Sequence, residues 1–135
     1  MRVRIRQAAL NEIVSHAREE LPNECCGLLV GTADEVTWAE RARNLKAGPT
    51  RFLIDPEAHF AAIRRARAAG LVVMGAYHSH PRTPAWPSDT DRAEDTYPEF
   101  LKVIVSLAGQ AGEPDVRAFR VEDGNIQSVE LVLLG

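Results

Sequence analysis

A mixed α/β fold, with a central mixed sheet flanked by helices, is what this 135-residue sequence predicts. Three observations carry that expectation. Two segments repeat apolar residues at helical spacing, several others are compact apolar runs of strand length, and the last two runs are joined as a hairpin across Asp123-Gly124-Asn125. Hairpin joins argue for a mixed sheet over a doubly wound parallel one. Residues 1–135 read as one domain, because the length suits one core, the hydrophobic fraction of 45% is globular, and no repeat or low-complexity stretch interrupts it.

In chain order, residues 2–6 read as a short strand with Val3 and Ile5 on one face. A helix is expected from Ala8 to Glu20, since Leu10, Ile13, Val14, Ala17 and Leu21 recur at helical spacing, and Pro22-Asn23 ends it. Cys25 to Gly31 is an apolar run read as a central strand, with 34–43 as its hairpin partner. Phe52-Leu53-Ile54 suggests another short strand. Asp55 is placed to cap a helix with Pro56 at its first position and Gly70 at its end, turning Phe60 and Ile63 inward and Arg64, Arg65 and Arg67 to solvent. Leu71 to Tyr77 is a continuous apolar run that ends in His78 and His80. A short helix follows from Ser88, then a buried strand over 101–107, then the hairpin of 116–122 with 126–133.

Composition excludes several classes. Sixteen basic residues against nineteen acidic ones give a net charge of −3, and residues 68–135 hold five basic and ten acidic groups. That half carries the two neighbouring histidines, so a nucleic-acid backbone is not the expected partner. No apolar run approaches the ~18 residues of a membrane span, and the N-terminus alternates charged and apolar residues instead of forming a signal-peptide core. The expected location is cytoplasmic. Cys25 and Cys26 are adjacent, which suits neither a disulfide framework nor a C-x-x-C metal pair, and they read as reduced residues of a buried strand.

The chemistry concentrates in His78-Ser79-His80-Pro81 and the segment that follows. Histidines at i and i+2 on a strand point to the same side, and Asp91, returning after a loop stiffened by Pro81, Pro84 and Pro87, completes a set of two nitrogens and one oxygen. Such a set suits a catalytic zinc ion that keeps its fourth position for water. Ser88-Asp89-Thr90-Asp91 has a competing explanation as a capping box, in which Ser88 and Asp91 cap a helix and need no metal. A hydrolase of this kind also needs a general base. Glu24, just before the apolar strand, is the candidate, although periodicity does not prefer it to Glu12, Glu19 or Glu20. His16 and His59 stand alone on helices and read as ordinary side chains. Ser79 should face away from a metal, and Trp86 is either a loop anchor or a surface for substrate.

Taken jointly, Asn23-Glu24-Cys25-Cys26-Gly27-Leu28-Leu29-Val30-Gly31, His78-Ser79-His80-Pro81 and Pro87-Ser88-Asp89-Thr90-Asp91 resemble the JAMM (MPN-plus) metalloprotease family. Its pattern is a glutamate at the head of an apolar strand, H-[ST]-H-P, and S-x-x-D with ten residues between the second histidine and the aspartate, as here. The resemblance implies a three-layer-like MPN architecture, related to that of cytidine deaminases. It implies one zinc held by His78, His80 and Asp91, with Glu24 as general acid/base and Ser88 as oxyanion donor. It further implies hydrolysis of the amide or isopeptide bond after the Gly-Gly end of a ubiquitin-like protein, whose tail would lie along a sheet edge. The compact length is similar to prokaryotic members that process ubiquitin-like sulfur carriers.

Three rivals stand beside this reading. A non-catalytic MPN scaffold would keep the fold, but such domains usually lack one or more ligands. A deubiquitinase-like isopeptidase on another ubiquitin-like modifier would use the same site. A zinc nucleoside deaminase would need H-x-E and P-C-x-x-C, which this chain lacks. The identity of the carrier and the oligomeric state do not follow from the sequence.

Overall fold

A computed structural model describes residues 1–95 and 97–135. Strand β1 (Arg2–Arg6) alternates exposed arginines with fully buried Val3 and Ile5. Helix α1 (Gln7–Glu19) follows without a linker and buries Ala9, Ile13, His16 and Ala17. Leu21 belongs to the turn beyond that helix and is exposed, so the apolar stripe ends one turn earlier than its spacing suggests. Strand β2 (Cys26–Thr32) is joined to β3 (Glu35–Ala42) by a two-residue turn. Asp55 caps α2 (Pro56–Ala68), its Oδ1 accepting the Glu57 amide at 2.9 Å, and Gly70 at φ 73° releases the chain from the helix. Strand β4 (Val72–His80), the one-turn helix α3 (Asp89–Ala93) and strands β5 (Leu101–Ser106), β6 (Asp115–Glu122) and β7 (Asn125–Leu134) complete the chain. Asp123 and Gly124, both at positive φ, make the tight turn between β6 and β7.

The sheet runs β1-β3-β2-β4-β5-β6-β7, and β1 also pairs with β7, so it closes on itself. Pairing is mixed: β4–β5, β1–β3 and β1–β7 are parallel and the others antiparallel. The mixed α/β class is therefore as the sequence predicts, while the closure comes from β1, a five-residue strand with partners on both sides. The core lies between α1 and one face of the sheet, where Ile13 and Ala17 meet Ile5, Leu29, Tyr77, Val103 and Val105. The second helix packs against β2, β3 and β4.

Two expectations are corrected. Phe52-Leu53-Ile54 forms no strand, only an isolated bridge between Asn44 and Ile54. The Asn44 side chain takes the place of a ladder partner there, accepting the Lys46 and Leu53 amides and donating to the Arg51 carbonyl. Phe60 is not turned inward but is 63% exposed. Ala62 and Ala66 are the buried residues of α2, since small side chains let the helix approach the sheet closely, which leaves the larger Phe60 at the side.

One register matters most for function. Cys26 pairs with His78 across the antiparallel β2–β4 ladder, and the Ser79 amide donates to the Cys25 carbonyl at 3.1 Å. Continuing that register by two residues brings Glu24 level with His80. Residues at opposite ends of the sequence motif thus meet at one end of the sheet.

Candidate metal centre and active site

His78 and His80 end β4 on the same face, both almost fully buried, because the strand alternates sides: Tyr77 just before them points into the α1 core, and Ser79 lies between them on that other side. Their Nε2 atoms are 3.1 Å apart. Asp91 Oδ2 lies 3.0 Å from each. A tetrahedral ion with bonds of about 2.0–2.1 Å separates its ligands by roughly 3.3 Å, close to these edges. Chemistry agrees with distance. The His80 Nδ1–H donates to the Pro84 carbonyl at 2.8 Å, which turns the Nε2 lone pair toward Asp91. Two electron-rich atoms then face each other with no proton between them unless His80 takes one up or a cation binds. The three side chains form a cluster that could hold a metal ion.

Asp91 does two jobs with one oxygen. Its Oδ2 also accepts the Ser88 amide at 3.0 Å, and Ser88 Oγ accepts the Asp91 amide at 3.0 Å, so the capping box is fully formed. Capping and ligand geometry are therefore not exclusive. The box fixes the rotamer that brings the carboxylate to the histidines. Because Ser88 Oγ serves the cap as an acceptor, its own proton remains to be donated elsewhere.

Electrostatics separate the two carboxyl groups. Burial works against ionised Asp91, but hydrogen bonds from His78, His80 and the Ser88 amide outweigh it and hold the group far below the usual carboxylate range. Burial lowers His78, with Asp91 opposing. For His80 burial acts downward too, yet Asp91, the Pro84 carbonyl and Glu24 together raise it. Glu24 is buried, its Oε1 has no hydrogen-bond partner, and burial pushes its pKa up to about 8, with His80 opposing and Asp91 adding to the shift. A buried, unpaired carboxyl titrating near neutrality beside a ligand cluster has the properties of a general base.

The family model described as prokaryotic homologs of the JAB domain matches residues 6–122. The chain belongs to this family. It is 37% identical over 109 residues to a desampylase of Haloferax volcanii, covering 76% of this chain and 78% of the relative. It is 32% identical over 124 residues to the CysO-cysteine peptidase of Mycobacterium tuberculosis, covering 90% and 84%. A solution structure of a protein from Desulfitobacterium hafniense superposes with a TM-score of 0.89 at 33% identity, covering 98% of this chain and 92% of that one. The chain is thus a JAMM-type hydrolase of the peptidase or isopeptidase class.

The other residues that the sequence singles out lie around this cluster as follows. Ser79 points away from the ligand cluster, and its Oγ accepts the Cys25 amide at 2.7 Å. Cys25 and Cys26 are free and buried, and burial raises both thiols, to about 11 and about 12. His16 bonds the Tyr77 hydroxyl at 2.8 Å within the core, and His59 packs edge-on against Tyr97. Trp86 is half-exposed and meets Phe119 edge-on with ring centroids 5.2 Å apart. Three neighbours of the cluster and of Glu24 are not singled out by motif or periodicity: Phe52, stacked on the His78 ring at 4.2 Å, the Pro84 carbonyl and Asn44. Ligating histidines need partners on the far side of the ring, which signals that something is there but not which loop residue supplies it.

Proposed function

We propose that this protein is a zinc-dependent peptidase that hydrolyses the amide or isopeptide bond after the Gly-Gly end of a ubiquitin-like sulfur-carrier protein. The observation that carries the reading is the convergence of His78 Nε2, His80 Nε2 and Asp91 Oδ2 within 3.1 Å, near an unpartnered buried Glu24. In support, one relative is named a desampylase and another a CysO-cysteine peptidase.

His78, His80 and Asp91 would hold the ion. When bound, zinc supplies a Lewis acid that lowers the pKa of water to about 7 and polarises a carbonyl. Glu24 takes a proton from the attacking water as its oxygen bonds to the scissile carbonyl carbon. The same carboxyl then passes that proton to the leaving nitrogen as the C–N bond breaks. Ser88 donates its hydroxyl proton to the carbonyl oxygen as negative charge develops there. The Gly-Gly tail would run in the groove of about 950 Å³ that has His78 and Asp91 at one end and Phe52, Leu53 and Phe60 along its wall. Trp86 would flank the tail from the loop opposite. The whole chain 1–135 would act as one domain.

The test offers the zinc-loaded enzyme two substrates side by side: a ubiquitin-like carrier bearing one amino acid after Gly-Gly, and the same carrier linked to a lysine side chain. Cleavage of either after Gly-Gly is expected, with loss of both zinc and turnover in His78→Ala, and retained zinc with most turnover lost in Glu24→Gln. A protein that binds no zinc and cleaves neither substrate would be the non-catalytic scaffold instead.

A further inference from the structure

Glu24 lies outside the sheet ladder, since β2 begins at Cys26. Its two backbone groups are instead held by the loop that follows β3. The Glu24 amide donates to the Gly48 carbonyl at 2.8 Å, and the Glu24 carbonyl accepts Asn44 Nδ2 at 3.2 Å. Asn44 makes three more bonds. Its Oδ1 accepts the Lys46 amide at 3.0 Å and the Leu53 amide at 2.9 Å, and Nδ2 also donates to the Arg51 carbonyl at 3.0 Å. Both donors and both acceptor sites of the amide are thereby used. A flipped amide would set its oxygen against two carbonyls and its NH2 against two amides, so the network admits one orientation.

The same loop reaches the rest of the site. Phe52 stacks on the His78 ring, and Lys46 and Arg51 pair with Glu94 at the end of α3, the helix that carries Asp91, at 3.1 and 2.5 Å. Residues 44–53 thus touch the backbone of Glu24, one histidine of the cluster and the helix that carries Asp91. Asn44 and Gly48 are the two points where the loop is fastened to Glu24, and Asn44 is the one that does so through its side chain.

We propose that Asn44 is a positioning residue for catalysis: by bonding the Glu24 carbonyl and both ends of the 45–53 loop, it sets where the Glu24 carboxyl stands relative to His78, His80 and Asp91. The inference rests on the reading of Glu24 as general base. Asn44 touches neither substrate nor metal ligand and acts through the backbone of Glu24. A displaced base costs rate steeply, since a misplacement of about 1 Å can lower turnover by about 10²-fold.

Asn44→Asp keeps the accepting half of the network, because a carboxylate can still accept the Lys46 and Leu53 amides but donates to neither the Glu24 nor the Arg51 carbonyl. Asn44→Ser, neutral and too short, separates the lost donor from the added charge. Steady-state kinetics on the carrier substrate cleaved fastest above, zinc titration and amide exchange at Lys46 and Leu53 are measured on each variant. Both variants should lose on the order of 10²-fold in kcat with zinc affinity unchanged, and Asn44→Asp should keep the two amides protected. Combining either with Glu24→Gln should cost nothing beyond Glu24→Gln alone, the mark of two residues acting as a unit. Wild-type kcat in Asn44→Ser, or losses that multiply in the double variant, would overturn the proposal while leaving the role of Glu24 intact. A fully active Glu24→Gln would instead overturn the reading of the base, and this inference with it.

Discussion

At the scale of single residues, Glu24 holds the least comfortable position in the protein, a buried carboxyl with an oxygen that no group bonds. Its pKa rises from an ordinary 4.5 to about 8, so between those values the folded chain keeps a proton that the unfolded chain has lost. Stability of the metal-free protein must therefore fall as pH rises through that window. Glu24→Gln removes the effect, so chelator-treated Glu24→Gln should melt near wild type at pH 5 and clearly above it at pH 8. Equal melting temperatures at pH 8 would mean that the carboxyl finds solvent or a partner. Ser88 offers a second test at this scale, because its hydroxyl oxygen caps the helix while the oxyanion role proposed for it would use the hydroxyl proton. Ser88→Ala should cost about 1 kcal/mol of stability through the lost cap and roughly 10²–10³ in kcat through the lost oxyanion donor. Urea unfolding and turnover numbers read the two losses separately, and an unchanged kcat would leave Ser88 as a cap alone. For Asp91 the sequence offered capping and metal ligation as rivals; its Oδ2 atom meets both the Ser88 amide and the histidines, so the two are compatible.

At the scale of elements, the strands do more than fill a core. The β2–β4 ladder sets Glu24 level with His80, and Ser79 locks it by accepting the Cys25 amide. Gly27 in the same ladder lies under the Tyr77 ring and against the Glu40 carbonyl, leaving no room for a methyl group. Tyr77 in turn reaches His16 on α1, so β4 is braced from the core side while its histidines face the site. Gly27→Ala should therefore destabilise the fold by roughly 1–3 kcal/mol, the usual cost of overpacking. The denaturation midpoint measures it, and a change below a few tenths would show that the Tyr77 ring shifts freely. Strand and helix positions were largely legible from periodicity, because burying one face imposes a repeat on the sequence. Phe60 and the 52–54 segment were not, because an apolar residue in a groove wall has the same signature as one in a core.

At the scale of the whole molecule, the His78–His80–Asp91 cluster and the core are separate. His78, His80 and Asp91 stand on one face of β4 and on α3, while the main cluster of buried apolar side chains lies between α1 and the other face. Chelation should abolish turnover yet leave a cooperatively folded protein with an unchanged far-ultraviolet spectrum. Added zinc should then raise the melting temperature, by a stabilisation of about 2.7 kcal/mol at one hundred times its Kd. A chain that unfolds on chelation would show that the ion is structural. Among the described residues no helix is long and apolar enough to cross a membrane. The sequence sufficed for the fold class, the histidine pair and the family resemblance, because strand alternation and ligand spacing are local and leave a local trace. The closure of the sheet through β1, the convergence of Glu24 on His80, and the clasp of Asn44 and Phe52 around the site had to come from three dimensions. Each joins residues far apart in the chain, and what unites them is register and loop closure, which no short stretch of sequence encodes.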